Sequence, residues 1–400
     1  MKMARIPADL IQGTVEPGFE AVRDEFKKNF SKRGEIGAAC AIYQRGKKVV
    51  DLWGGYRDPK LRLPWQENTM TIVFSSTKGL ASMAVAVAHS RGLFDYDERV
   101  AVYWPEFAQN GKEQVTVRQL LSHQAGICVI DEPLTAEILS DFDALAAIIA
   151  RQKPVWEPGT KQGYHALSLG WYEGELIRRV DPGHRSLGQF FREEIAGPLG
   201  IEFYIGLPRS IPECRFAPMQ FPSPWEMIFR VDKKSKPFFK AMMDRKTLAG
   251  RAFSNPAGFS PNDRSFLTLE NPAYTGVGEA RGIARAYSAF ACGGGELGIT
   301  PKTMRALTEP VVPPPGGLFD QMLRVEVSFS LGYMKPSPEM VFGSSDKAFG
   351  TPGAGGSFGF ADPDTQVGFA YTPNKMGLYL AGDPRLIALH DTFYKCLNGN

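Results

Sequence analysis

Residues 17–31 place Phe19, Val22, Phe26 and Phe30 three and four apart, which puts all four on one face and predicts an amphipathic opening helix. Two strand patterns follow, Ala38–Tyr43 and Lys48–Trp53, with Gln44-Arg45-Gly46 between them as a hairpin turn. From about residue 75 to 200 the period becomes helical. Ser76–Ser90 is rich in Ala, Met and Val and stops at Gly92; Thr116–Ser122, Asp141–Gln152 and Leu167–Val180 come next, and Leu187–Ala196 is expected to end before Pro198. Residues 205–275 are dense in Pro, Phe and Met without a period. A structureless stretch this long in a compact chain reads as a cover or pocket wall, or else as a surface insertion. Arg281–Cys292 is helical again. Strands are then predicted at Val325–Met334, Phe358–Ala361 and Gln366–Tyr371, before a last helix at Pro384–Leu397.

Strand patterns thus sit at both ends of the chain. Two strands alone are marginal, so the ends are expected to pair in one sheet. The predicted class is α/β of the α+β type. An antiparallel sheet built from both chain ends is flanked by the N- and C-terminal helices, with a mostly helical region inserted. The expected division is an α/β part from 1–74 and about 276–400, a helical part at about 75–204 and an irregular cover at about 205–275.

Composition narrows the function class. With 43% hydrophobic and 12% aromatic residues over 400 positions, the chain is neither disordered nor low-complexity. Its 46 basic and 43 acidic residues leave a net charge of +3, and the only basic run is Lys233-Lys234-Ser235-Lys236, which is not a nucleic-acid footprint. The cysteines Cys40, Cys128, Cys214, Cys292 and Cys396 form no CxxC pair, and His89, His123, His165, His184 and His390 are dispersed. No metal or cofactor is therefore expected. MKMARIPADL lacks a signal-peptide core and the run Leu80–Ala88 is too short to cross a bilayer, so the expected location is the cytoplasm, without a membrane partner.

Two glycine motifs fail on context. Gly293-Gly-Gly295-Glu-Leu-Gly298 follows a helix, whereas a dinucleotide site follows a strand. Gly355-Gly-Ser357-Phe-Gly359 resembles a nucleophile elbow, yet a strand pattern with Pro363 comes after it instead of a helix.

The informative motif is Ser75-Ser76-Thr77-Lys78 at the start of an apolar helix. Positions i and i+3 share a face, with β-carbons about 5–6 Å apart. A serine hydroxyl needs a base beside it, and a desolvated lysine can serve. The helix N-terminus favours the developing anion. A second piece is Tyr164, after a Pro/Gly loop and before a helix: either a packing residue, or a general base whose phenol pKa is lowered by Lys78. Its neighbour His165 is expected to point away. A third is Thr351-Pro-Gly353-Ala354-Gly355-Gly-Ser357, where glycines before a strand let a ligand approach backbone N–H groups that complete an oxyanion hole with Ser75.

In this order the three pieces resemble the serine β-lactamase and penicillin-binding-protein superfamily, and most closely class C β-lactamases and the family VIII carboxylesterases. Leu120-Leu-Ser-His123-Gln-Ala-Gly126 and Glu194-Ile-Ala-Gly-Pro198-Leu-Gly200 are similar to two further family segments. The resemblance runs from about residue 17 to the C-terminus and implies a β-lactamase/transpeptidase-like fold. It implies Ser75 as nucleophile, Lys78 as its partner and Tyr164 as the tyrosine of the family's YxN. Ala166 replaces the Asn of that motif, and Thr351 replaces the Lys or His that opens the third motif, with Lys347 poorly placed to substitute. The Trp-Gly-Gly mark of the esterases occurs only at Trp53-Gly54-Gly55, read as a strand end. The expected function is a serine carboxylesterase acting on short-chain acyl esters. Ser75 and Ala354 N–H groups would form the oxyanion hole, and Thr351, Gly353 and Gly355 would line the substrate site. The alternatives are a β-lactamase or D-alanyl peptidase, an acyltransferase, and a binding protein that kept the fold without its chemistry.

Overall fold

A computed structural model describes residues 6–258 and 260–399. Its main sheet has seven strands: β1 (Ile11–Val15), β2 (Gly37–Gln44), β3 (Lys47–Asp58), β4 (Leu63–Pro64) and, from the other end of the chain, β8 (Phe349–Pro352), β9 (Phe358–Asp362) and β10 (Val367–Pro373). The order is β1-β3-β2-β10-β9-β8, every pair antiparallel, with β4 on β3. The chain ends meet where β2 pairs β10, Cys40 opposite Tyr371. Arg45 and Gly46 both take positive φ, as the tight β2–β3 turn requires. Helices α1 (Glu20–Lys32) and α5 (Pro384–Leu397) cover one face, where Val22, Phe26, Phe30, Leu389 and Phe393 pack on Ile42, Phe360 and Phe369. Helix α4 (Ala280–Ala291) covers the other face, against β2, β9 and β10.

The inserted region centres on α2 (Ser76–Ser90), buried at every position from Ser76 to His89, with α3 (Ser168–Val180) packed beside it. A second small sheet, β5 (Thr71–Ile72), β7 (Gly276–Gly278) and β6 (Phe203–Ile205) in that spatial order, braces the start of α2.

Four expectations change. Val325–Met334 is not a strand; it makes single bridges, Phe319 with Glu326, Phe329 with Met334 and Met334 with Gly350. Gly332 turns left-handed there and donates to Leu121 O at 3.0 Å, so the segment wraps the helical region. Residues 205–275 are not structureless: short helices form at Pro224–Arg230, Lys236–Met243, Leu248–Phe253 and Arg264–Leu267, too brief for a clear period. The Leu187 helix continues past Pro198 to Leu199, through a π-turn at Arg192–Ala196 whose wider spacing tolerates the missing N–H. Trp53-Gly54-Gly55 lies inside β3, which runs to Asp58.

Candidate active site

Ser75 sits at the N-cap of α2, but with helical φ/ψ, and its hydroxyl makes no capping bond. The oxygen is therefore available. Phe74, just before it, holds a left-handed φ of 47°, a conformation that a bulky side chain adopts only under constraint. The constraint is visible. The Phe74 ring packs with Met70, Ile72, Phe216 and Met219, while Thr77 Oγ1 donates to Phe74 O at 2.5 Å and accepts from Gly276 N at 2.9 Å.

Lys78 is wholly buried, and its Nζ lies 3.4 Å from Ser75 Oγ. The same nitrogen donates to Ala166 O at 2.7 Å and Ala273 O at 3.0 Å. Burial pushes its pKa down from 10.5 to about 7, opposed by the charge of Glu173. A neutral amine has two N–H bonds and one lone pair. When the amine is neutral the two carbonyls take its N–H bonds, which leaves the lone pair for the proton of Ser75 Oγ, 3.4 Å away. The position of the family's YxN asparagine thus serves Lys78 through the Ala166 backbone carbonyl.

Tyr164 is brought to the same point: Lys78 Nζ stands 4.6 Å from its ring centre, and Ser75 draws its phenol pKa down. Burial is the larger effect and raises that pKa, so the expectation of a phenol made acidic by Lys78 is overturned. Tyr164 stays protonated at neutral pH. Its phenol oxygen is buried without a hydrogen bond of normal geometry. The ring is held by His123, whose centroid is 4.9 Å away, and by Phe329 stacked at 6.4 Å. His165 indeed faces elsewhere, taking the Ile127 N–H at 3.2 Å, and burial lowers its pKa to about 3. His123 Nδ1 accepts the His165 N–H at 3.0 Å. Both imidazoles are neutral structural groups.

The β8–β9 turn closes the other side. A Cβ on Gly353 would lie 2.2 Å from Val73 O and from Ser357 Oγ, so only glycine lets this turn press against the Ser75 turn. Ser357 is locked there: its hydroxyl donates to Val73 O at 2.7 Å and accepts from Ser76 Oγ at 3.3 Å, and β9 follows it. It is a buried tie, as its strand context implied. Among the described residues, neither the Ser75 nor the Ala354 N–H has an intramolecular acceptor. Gly355, left-handed at φ 85°, turns its carbonyl to Arg385 Nη2 at 2.6 Å.

Thr351 does not reach the open side. It is buried, with its hydroxyl beside the Tyr287 phenol and against Gly79 of α2. Tyr287, from α4, fills the space a longer side chain at 351 would need. Lys347 is on the surface, paired with Asp364 at 3.0 Å. Arg385 is buried against Glu35 at 2.8 Å and Asp383 at 2.6 Å. Neither cation is free for a substrate. Sequence reasoning missed Tyr287, Arg385, Asp320 and Glu173, because only the tertiary fold brings them here. Asp320 receives the Tyr164 backbone N–H, and burial raises its pKa to about 6.

Apolar groups flank the reactive pair: Phe216 and Met219 beside Phe74, and Phe238, Ala249 and Met322 in the cluster containing Tyr164. Among the described residues no group of three His, Cys, Asp or Glu is placed to hold a metal, and no helix is long and apolar enough to cross a membrane. The arrangement offers a serine hydroxyl, a buried amine of lowered pKa beside it, a protonated phenol and two backbone N–H groups without an intramolecular acceptor among the described residues. That set suits acyl transfer.

Residues 19–392 match the beta-lactamase family. The chain is 34% identical over 91% of its length to "Esterase/beta-lactamase LipL" of Mycobacterium tuberculosis, spanning 83% of that protein. It superposes on a family VIII carboxylesterase with TM-score 0.85 and 38% identity, covering 96% of this chain and 99% of the other. A penicillin-binding protein homolog from Caulobacter crescentus gives TM-score 0.85 at 36% identity, with coverage of 96% and 99%.

Proposed function

The chain belongs to the beta-lactamase family and is a serine hydrolase of that kind, and from this premise we propose that it is a carboxylesterase cleaving short-chain acyl esters through an acyl-enzyme on Ser75. The observation that carries the reading is the buried Lys78 amine, 3.4 Å from Ser75 Oγ and bonded to the carbonyls of Ala166 and Ala273. Lys78 takes the Ser75 proton as Oγ attacks the ester carbonyl. Ser75 and Ala354 N–H groups hold the oxyanion. Tyr164, still protonated, hands its proton to the departing alkoxide and recovers one from Lys78. Water then attacks the acyl-enzyme by the same route in reverse. The apolar flanks from Phe216, Met219 and Phe238 favour an uncharged acyl group. The relative named esterase/beta-lactamase carries both activities in its name; the paired cations beside β8 favour the ester here.

The test is a panel of p-nitrophenyl esters and one chromogenic cephalosporin, assayed with purified protein and its Ser75→Ala form. Turnover of the short esters that vanishes in Ser75→Ala supports the reading; ester turnover surviving that change defeats it. Because Lys78 works deprotonated, kcat/KM should climb about tenfold per pH unit below pH 7 and level off above it. A rate flat from pH 5 to 9, with chemistry limiting, would remove Lys78 as the base.

A further inference from the structure

The three aromatic side chains most open to water among the described residues are close together in the chain: Phe229 is 75% exposed, Trp225 71% and Phe221 55%. Trp225 and Phe229 share one face of the helix Pro224–Arg230, four residues apart, and their rings stack at 6.0 Å, 5° from parallel. Phe221 stands just before the cap of that helix, and Met227 is exposed within it. The cap holds the helix in shape: Ser223 Oγ accepts the Glu226 N–H at 3.3 Å, and Glu226 Oε2 accepts the Ser223 N–H at 3.0 Å. Apolar groups of this size gathered in water mark a surface that gains by being covered. The acyl-transfer steps make no use of them.

The next helix, Lys236–Met243, has two stripes. Phe238, Phe239 and Met242 pack into the cluster that contains Tyr164, whereas Lys236, Lys240 and Met243 are exposed. Ser235 Oγ accepts the Leu380 N–H at 2.7 Å and pins the start of this helix to the body of the protein. Seven basic and three acidic residues between 221 and 250 leave +4, more than the +3 of the whole chain. Asp232 accepts the Lys234 and Ser235 N–H groups, Asp244 accepts the Lys246 N–H, and Lys234 is paired with Glu339 at 2.6 Å. Lys233, Lys236, Lys240 and Lys246 are exposed and form no ion pair among the described residues.

We propose that residues 221–246 form a docking surface for an anionic lipid bilayer. Phe221, Trp225 and Phe229 enter the interface, and Lys233, Lys236, Lys240 and Lys246 meet the headgroup phosphates. Charge decides the occupant. A second copy of this chain would set +4 against +4, which repels, whereas an anionic surface attracts each unpaired ammonium. A bilayer interface takes aromatic rings and lysines side by side without a fitted pocket. The expectation of no membrane partner rests on the lack of a spanning run, and a surface that lies on lipid needs none. The segment also joins the two apolar flanks of Ser75, running from Met219 in the Phe74 cluster to Phe238 in the Tyr164 cluster. Esters dissolved in the lipid would meet the chain at this segment; that consequence rests on the carboxylesterase reading, and the docking does not.

The experiment is co-sedimentation of the purified protein with vesicles of phosphatidylcholine alone and of equal parts phosphatidylcholine and phosphatidylglycerol, at low and high salt, with folding of each variant checked by circular dichroism. The protein should sediment with the anionic vesicles and not with the neutral ones, and high salt should weaken the binding. Trp225→Ser with Phe229→Ser, and separately Lys236→Glu with Lys240→Glu, should each weaken it by about tenfold or more. Addition of anionic vesicles should shift the tryptophan emission to the blue, and Trp225→Phe should keep the binding and lose most of that shift. Ser75→Ala should bind as the wild type does, so failure of the esterase reading and failure of the docking are separate results. No binding to anionic vesicles overturns the proposal, as does equal binding to neutral ones or binding that both double variants retain. A dimer in sedimentation velocity that Trp225→Ser with Phe229→Ser converts to monomer also overturns it, and assigns the surface to a second copy of the chain.

Discussion

Ser75 follows Val73 by two residues and the Ser357 hydroxyl donates to Val73 O at 2.7 Å, yet of the two serines only Ser75 has a base beside it. Ser75→Ala should therefore cost roughly 10⁴-fold or more in ester hydrolysis. Ser357→Ala removes two buried hydrogen bonds and no chemistry. It should keep most of the activity while losing about 1–3 kcal/mol of stability, read as a lower Tm. Reversed results would move the nucleophile to Ser357. Ser75, Lys78 and Tyr164 were legible in the sequence because helical spacing and a Pro/Gly loop are local facts. The protonation state of Tyr164 was not, since it depends on how much water the rest of the fold excludes. Composition and spacing carry no record of that burial.

At the scale of elements, α2 is clamped between α4 and β8. Gly79 lets Tyr287 reach Thr351; a Cβ there would come within 1.8 Å of the Tyr287 hydroxyl. Gly79→Ala should destabilise the protein by about 1–3 kcal/mol, the range for overpacking. Tyr287→Phe removes the clashing oxygen, so the double variant should recover part of the loss. A double-mutant cycle with simple additivity would show that the two residues do not meet. Elements with a long, clean period were legible, and Ser76–Ser90 and Pro384–Leu397 match the pattern to the residue. Those fixed by partners were not. The strands β5, β6 and β7 have only two or three residues each. Val325–Met334 alternates like a strand, but its backbone groups bond to a loop side chain and a helix end instead of a neighbouring strand: Gln162 Nε2 reaches Val327 O at 2.7 Å, and Gly332 N–H reaches Leu121 O.

For the whole molecule, one buried ionic cluster joins the chain ends to the reactive turn. Glu35 after α1 binds Arg385 of α5 and receives the Tyr371 hydroxyl of β10 at 2.5 Å, and Arg385 holds Gly355. The same cluster uses up the guanidinium nearest the β8–β9 turn. A β-lactam brings a carboxylate, and binding it well calls for a charge-assisted partner. Thr351 supplies none, and Arg385 and Lys347 are each paired with carboxylates. Neutral esters need only the hydroxyl, its base and the backbone N–H groups. Purified protein should therefore turn over p-nitrophenyl acetate and butyrate far faster than a chromogenic cephalosporin. Placing a cation by Thr351→Lys alone should not reverse this, because Tyr287 and Gly79 occupy the space around residue 351. That variant should lose stability without gaining cephalosporin turnover, while Thr351→Lys with Tyr287→Ala opens room and should gain β-lactam binding. Equal turnover of ester and cephalosporin by the unmodified protein would show that the paired cations do not govern the choice, and would assign the chain to the β-lactamases by activity.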